Sequence, residues 1–357
     1  MKKRSFTLKL GYIPMANPLV SFIIINYNTQ HMLQGCIDTI LSQTYSPIEV
    51  LFIDNDSHDG SADLVEDLYG DDERVQIIRN PDNKGYSGAG NQGIELAKGE
   101  YVVITNPDIR YEPDYFEHAV ARMQQDPKIA ALVGKVLKYD FSKNEKTKIV
   151  DTVGLFAYRN RRVIDDAQGL EDKGQFEEER EVFGISGACP LYRKEALEDA
   201  KILGEYLDHD FFMYKEDVDL SWRFQLLGWK CLYSPKALAY HGRGTGVAQR
   251  FTTDQLLNER KKLSHFQKKF SIVNQHLMQI KNDLWGNVLH DFFPILFREI
   301  ATIGYVTLRE PGLWKELPRF FKLLPKTLKK RKAIMAKKRV GSKEMQRWFG
   351  EQSRYFS

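Results

Sequence analysis

The chain has 357 residues, of which 42% are hydrophobic and 28% charged, with a formal net charge of +4. This is a globular composition and excludes a disordered, collagenous or disulfide-built protein. Three widely spaced cysteines, Cys36, Cys189 and Cys231, form no CxxC pair. They point to a reducing compartment without structural zinc. No run approaches the ~20 apolar residues needed to span a bilayer. The basic N-terminus leads into an apolar stretch broken by Lys9 and Pro14, so a cleaved leader is not expected.

In chain order, Val20–Ile25 is a short β-branched run, the pattern of a strand buried on both faces. A helix is predicted over Met32–Gln43, a second strand over Ile48–Ile53 and a helix over Ser61–Tyr69. A short strand at Val75–Ile78 precedes a helix over Gly90–Lys98 that Gly99 would cap, then a strand at Tyr101–Thr105. Alternation at this pace predicts parallel βαβ units in an α/β sheet. Phe141–Lys148 and Gly169–Arg180 read as solvent loops. A helix is predicted from Glu216 to Gly228 and a strand at Trp229–Tyr233. Beyond about Thr252 the chain turns helical and basic.

Polar clusters follow the strands: Asn26 and Asn28, then Asp54-Asn-Asp56, then Asn106-Pro-Asp108. Ligands of open α/β sheets sit at those carboxyl ends, so one shared crevice is expected. Asp54 suits a nucleobase or ribose contact, although its segment also reads as an Asp/Asn/Gly turn. A carboxylate at Asp108 can hold a divalent cation on a diphosphate, and the triplet also reads as an Asn-Pro turn. Gly85-Tyr-Ser-Gly-Ala-Gly90 has GxxGxG spacing and does not directly follow the first strand, which excludes a dinucleotide fingerprint. In Glu216-Asp-Val-Asp-Leu-Ser-Trp-Arg223, Asp217 and Asp219 point about 200° apart on a helix. Asp219 can pair with Arg223, leaving Asp217 free as a general base that the helix dipole would keep ionised. His241 and Arg243 precede or sit among glycines, where they suit a metal or a phosphate, or a purely structural place.

Taken in order, Phe22-Ile-Ile-Ile-Asn-Tyr-Asn28, Asp54–Ser61, Asn83–Gly93, Asn106-Pro-Asp108, Ser186-Gly-Ala-Cys189, Glu216–Arg223 and Tyr240-His241 resemble the family 2 glycosyltransferases. They are most similar to the rhamnosyltransferase branch, over about residues 19–245. The resemblance implies the GT-A (nucleotide-diphospho-sugar transferase) fold, with a mostly parallel central sheet and here a helical basic C-terminal extension. It implies a metal-dependent, inverting enzyme and Mg2+ or Mn2+. Carried over, Asp217 is the catalytic base, and Asp108 with His241 are the metal ligands. The donor set is Asn26, Asn28, Asp54, Asp56, Lys84, Gly85, Asn91, Asn106 and Asp108. Gly187, Glu216, Trp222 and Arg243 belong to the acceptor or loop region. Many members carry Asp where this chain has Asn106, while the rhamnosyltransferase branch commonly has Asn-Pro-Asp.

The expected domains are an extension over 1–18, a catalytic domain over 19–250 and a helical region over 251–357. From Pro311 to Val340 eleven Lys and Arg face one acid, Glu316, a surplus of +10. Together with aromatics such as Phe292, Phe293 and Phe297, this predicts association with an anionic membrane surface. A packed helical subdomain or a dimer interface is the alternative, and nucleic acid is not expected as a partner. The resemblance then suggests L-rhamnose moved from dTDP-rhamnose to a saccharide acceptor, polyprenyl-diphosphate-linked, at the cytoplasmic inner face of a bacterial membrane for surface polysaccharide synthesis. A UDP- or GDP-sugar donor, or a catalytically idle nucleotide- or carbohydrate-binding scaffold, are the rival readings.

Overall fold

The structure is a computed structural model that describes residues 17–242 and 260–355. Its first half is built as the apolar runs dictate. Strands β1 (Val20–Asn26), β2 (Ile48–Asp54), β3 (Val75–Arg79) and β4 (Tyr101–Thr105) lie parallel in the order β4-β1-β2-β3. All seven residues of β1 are buried, as a central strand covered on both faces requires. Helices α1 (Gln30–Leu41), α2 (Ser61–Tyr69) and α3 (Gly85–Leu96) connect them. Helix α3 begins five residues earlier than its sequence suggests and is capped at Ala97. Gly99 is not its cap: its amide donates to Ser21 Oγ at 2.8 Å, tying the next strand to β1.

Beyond β5 (Ile109–Tyr111) and α4 (Tyr115–Gln125), the sheet continues through long strands. These are β6 (Ile129–Asp140), β7 (Glu145–Thr152) and β12 (Lys230–His241), with the short β10 (Arg180–Val182) and β11 (Leu191–Arg193). The full order is β10-β12-β6-β11-β4-β1-β2-β3. β11 runs antiparallel to both β4 and β6, while β12 and β6 are parallel. Two expectations are corrected here. Residues 145–148 are not solvent loop but the start of β7, entered through Asn144 in the left-handed region (φ 55°). β12 does not stop at Tyr233: a register shift between Ser234 and Leu238 absorbs Pro235, and pairing resumes to His241. That continuation is what delivers His241 to its pairing with Ile109, next to Asp108.

Helices α5 (Lys194–Ala200) and α6 (Glu216–Leu226) lead into the C-terminal part. There α7 (His265–Asn282), α8 (Trp285–His290), α9 (Phe292–Arg309), α10 (Leu317–Lys337) and α11 (Ser342–Gln346) follow. Strand β13 (Phe349–Gly350) then pairs parallel with β8 (Leu155–Tyr158), which pairs with β9 (Val163–Asp165). The expected boundary at 250/251 and Arg243 lie outside the described residues. A second core joins Trp222 and Leu226 of α6 to Leu277, Met278, Ile334 and Phe349. Trp222, 1% exposed, packs on Phe183 and Phe349, so it is core rather than part of an acceptor site.

Charge does much of the docking. Lys330 of α10 is buried against Asp208, Asp210 and Glu205. Lys281 pairs with Asp208 and Asp219, and Arg161 with Asp283 and Asp291. Asp219 also takes Arg223, as its spacing predicts. The basic surplus of 311–340 is therefore partly spent inside. Lys326, Lys330 and Arg339 form ion pairs, and Arg319, Arg331 and Lys337 donate to backbone carbonyls. Among the described residues, no helix is long and apolar enough to cross a membrane.

Candidate active site

The polar residues that follow β1, β2 and β4 stand side by side at the carboxyl ends of these adjacent parallel strands, the edge where a ligand crevice is expected. Asn26 and Asp54 are register partners, and Asn26 Nδ2 donates to Asp54 Oδ1 at 2.9 Å. Asp54 Oδ2 accepts the Ser57 amide at 3.1 Å. Asn28 Oδ1 accepts the His58 amide at 2.8 Å, and both Asn28 and Asp56 have positive φ. These bonds fix a loop whose carboxylate is held at the crevice wall.

The next wall is the start of α3. Asn55 Oδ1 accepts the Lys84 amide at 3.1 Å, and Asn83 Oδ1 accepts the Gly85 amide at 2.9 Å. Gly85 has φ +69°, and a Cβ there would stand 2.5 Å from Phe212, so only glycine fits. Asn91 points elsewhere. Its Oδ1 accepts the Tyr206 and Leu207 amides and its Nδ2 donates to the Leu207 carbonyl, so it holds that segment inside the protein.

The segment Gly187–Ala188 joins the remaining motifs. Gly187 N donates to Asp217 Oδ2 at 3.0 Å, and its carbonyl accepts the Tyr86 hydroxyl of α3 at 2.7 Å. The neighbouring Ala188 carbonyl accepts the Asn106 amide at 3.3 Å. A Cβ on Gly187 would stand 3.3 Å from Asp217 Cβ, a tight contact that would press on the Asp217 side chain. Three pieces far apart in sequence, residues 86, 106–108 and 217, thus meet on one short strap.

Asp217 lies in the first turn of α6, with Oδ1 accepting the Val218 amide at 2.7 Å. The dipole alone would hold it ionised. Burial outweighs this and pushes its pKa up, against the Gly187 amide and the Lys215 charge. Burial and the adjacent Asp217 push Glu216 up to about 8. Glu216 Oε2 has no hydrogen-bond partner among the described residues. The loop entering α6 is strained: Phe212, Tyr214 and Lys215 all have positive φ. Asn274 of α7 clamps it, Nδ2 donating to the carbonyls of Phe211, Met213 and Tyr214 at 2.9, 2.8 and 2.9 Å.

At the other end of the strap, His241 Nε2 lies 3.3 Å from Asp108 Oδ1, and its Nδ1 lies 2.7 Å from Asp151 Oδ2. Burial would lower the imidazole pKa, but the two carboxylates raise it to about 9. Burial raises and His241 lowers Asp108, with a net shift downward. A carboxylate behind one ring nitrogen orients the other, the arrangement that supports metal-bound histidines. Among the described residues no cluster of three or more His, Cys, Asp or Glu could hold a metal alone. Asp108 and His241 supply one oxygen and one nitrogen donor, which fits Mn2+ or Mg2+ when phosphate oxygens and water complete the shell.

Sequence reasoning missed Asp151, Tyr86, Lys215 and Asn274. Tyr86 lies inside a glycine-rich motif and draws no notice by itself. Asp151 sits on β7 and Asn274 on α7, with no local pattern to mark either.

Comparison with known proteins finds relatives in sequence and in fold. The poly-beta-1,6-N-acetyl-D-glucosamine synthase of Staphylococcus epidermidis is 26% identical over 222 residues, 62% of this chain and 49% of that one. Glycosyltransferase GlyG of Streptococcus pneumoniae is 32% identical over 124 residues, 35% of this chain and 41% of that one. The chain thus spans half or less of these relatives. In fold it is similar to a mannosyltransferase from Pyrobaculum calidifontis in complex with GDP-Man and Mn2+. That match has TM-score 0.51 and 17% identity, and covers 91% of this chain and 88% of that one. Staphylococcus aureus TarS 1-349 matches with TM-score 0.52 and 15% identity, covering 86% and 81% of the two chains. The model described as glycosyl transferase family 2 matches residues 21–200, half of the chain. The chain belongs to glycosyl transferase family 2, and its fold is the GT-A fold.

Proposed function

We propose that this protein is an inverting glycosyltransferase that moves a sugar from a nucleoside-diphosphate donor to a hydroxyl of a saccharide acceptor, in bacterial surface polysaccharide synthesis. The observation that carries this reading is the Gly187–Ala188 strap. It sets a carboxylate of raised pKa, Asp217, beside the Asn106–Asp108 segment that meets His241.

The acceptor hydroxyl loses its proton to Asp217 as its oxygen attacks the anomeric carbon. The new C–O bond forms opposite the bond to the diphosphate, which leaves with that bond's electron pair, so the configuration inverts. Burial raises the pKa of Asp217, which makes it a stronger base than an ordinary carboxylate. A divalent cation bound by Asp108 and His241 would supply charge neutralisation for the diphosphate. Asp54, with a lone pair left on each oxygen, accepts from the nucleobase or ribose. Asn28, Asp56, Lys84 and Gly85 line the same wall. The Lys215 and Asp165 charges act on Asp217 in opposite directions.

The donor is dTDP-L-rhamnose, on the strength of the Asn106-Pro-Asp108 form. The acceptor is polyprenyl-diphosphate-linked, and the enzyme works peripherally at the inner membrane face. A UDP- or GDP-sugar donor is the second reading, favoured by the similarity to a poly-N-acetylglucosamine synthase and to a fold neighbour bound to GDP-Man.

A thermal-shift panel of dTDP, UDP and GDP, with and without Mn2+ or Mg2+, tests the donor site. Saturating ligand should raise the midpoint by a few degrees, since about a hundred-fold excess over Kd adds roughly 2.7 kcal/mol. The largest metal-dependent shift is expected with dTDP, and a larger one with UDP or GDP would change the sugar. No shift with any nucleotide, and no transfer from any nucleotide sugar, would overturn the proposal.

A further inference from the structure

Helix α9 carries its polar side inward and its apolar side outward. Beneath it, Glu299 Oε2 lies 2.8 Å from His276 Nε2 of α7, and Arg298 donates to the Asn160 carbonyl at 3.4 Å. Outward, Phe292, Phe293, Phe297, Ile300, Ile303 and Leu308 are between 48% and 81% exposed. At 100° per residue these six fall within an arc of about 160°. Helix α8 extends the surface with Trp285 and Leu289, 72% and 73% exposed. A water-facing helix shows the opposite pattern, and soluble monomers rarely leave so continuous an apolar face open.

The neighbouring structure indicates what covers it. A cavity of about 320 Å3 opens between α7, α9 and the start of α10, lined by Val273, Ile303, Val306, Leu313 and Trp314. Apolar surface therefore continues inward from the exposed face. Lys315 stands between Trp314 and the cavity-lining segment at Leu317, and Lys322 and Lys329 stand beside the exposed Phe321 and Leu328. None of these three lysines, nor Lys332, forms an ion pair among the described residues, whereas Lys330 on the same helix is fully engaged. Free cations next to a bare aromatic stripe match an anionic interface. A two-fold contact would set this patch against a second copy of itself, with the same surplus of lysines on both sides and no acidic residue on α10 to meet them. An 18-residue helix is about 27 Å long and can lie in the plane of a membrane.

We propose that α8, α9 and the outer stripe of α10 form an in-plane docking surface for an anionic phospholipid bilayer. The aromatic and aliphatic side chains enter the acyl boundary, and Lys315, Lys322, Lys329 and Lys332 meet the headgroups. This deepens the membrane-side placement given under Proposed function and rests on that reading for its purpose.

The test is flotation of the full chain with vesicles of phosphatidylcholine alone and of phosphatidylcholine mixed with phosphatidylglycerol. The protein should float with the mixed vesicles and much less with the neutral ones. Phe293→Ser with Phe297→Ser should weaken that binding roughly ten-fold or more. Lys322→Glu with Lys329→Glu should abolish the preference for phosphatidylglycerol. All four side chains are on the surface, so the thermal midpoint should be unchanged. Equal flotation of the phenylalanine variant, or no flotation with either vesicle, would overturn the proposal. So would a concentration-dependent dimer that the phenylalanine variant abolishes, because a second copy would then own the face. The thermal response to nucleotide and metal, measured on the same protein, reports the donor site separately, so either reading can fail without the other.

Discussion

At the carboxyl ends of β1, β2 and β4, polar side chains stand around an open crevice; in the C-terminal helices, Lys281, Lys330 and Arg161 are closed off from solvent against carboxylates. Glu216 keeps a carboxylate oxygen without a partner, and Asp108 and Asp217 stay partly open. Lys330, by contrast, meets three carboxylates. An unpartnered atom does not by itself separate the two, since Arg161 Nη2 and Asp283 Oδ1 in the C-terminal ion pairs also lack a partner among the described residues. The difference is access, with Asp108 and Asp217 half-buried and Lys281, Lys330 and Arg161 closed off. Composition alone does not separate the two, since both regions are rich in charge. The two regions also touch functionally, because Asn274 of α7 holds the strained loop that leads into Asp217.

The largest test of this contrast is Lys330→Met. It removes the one buried cation shared by Asp208, Asp210 and Glu205, leaving Lys281 on Asp208 and the more exposed Lys326 on the other two, and should cost about 3–5 kcal/mol in urea unfolding. A loss below about 1 kcal/mol would mean the network does not hold the C-terminal helices. Next is Asn274→Ala, which frees three carbonyls and lets the 212–215 loop relax. It should lower kcat roughly ten-fold, with nucleotide affinity nearly unchanged. Unaltered kcat would break the link between the two regions. Trp222→Phe sharpens the distinction between core and site. It should cost about 1–2 kcal/mol of stability and leave the acceptor KM alone. A raised acceptor KM would return Trp222 to the acceptor site.

The smallest expected effect is in pH. Burial alone would raise Asp208, but Lys281 and Lys330 hold its carboxyl well below the ordinary carboxylate range. Its folded pKa is depressed, so its contribution to stability is complete above about pH 4 and is lost as pH falls towards the folded value. Acid unfolding of Lys330→Met should therefore be shallower in pH than that of the parent protein. Identical slopes would show that the pair does not carry the acid sensitivity.

Much of this was legible in the chain. The strands expected over 20–25, 48–53 and 101–105 are found over 20–26, 48–54 and 101–105, because short apolar runs rich in β-branched residues between turn signals suit a buried strand. The Asp219–Arg223 pair followed from helical spacing alone. Other features had no local sign. The strand expected over Trp229–Tyr233 runs on past Pro235, and only a register shift lets β12 carry His241 to Asp108. Asp151 and Asn274 act across 90 and about 60 residues, through tertiary contacts that no short pattern encodes. The basic stretch at 311–340 suggested a single anionic partner, yet part of it is neutralised by carboxylates of the preceding half. Trp222 sat within the most informative motif and packs inward, because every residue of α6 except Asp217 is buried.

The central claim is that Asp217 is the base of a sugar transfer, held in place by Gly187. The most direct measurement is the turnover of Asp217→Asn with the donor found by the thermal-shift panel, at saturating donor and acceptor. The amide keeps the size and the Val218 contact but cannot take a proton. The account predicts a fall in kcat of about 100- to 10,000-fold, with the nucleotide- and metal-induced thermal shift intact. Wild-type turnover in a folded Asp217→Asn protein would contradict it.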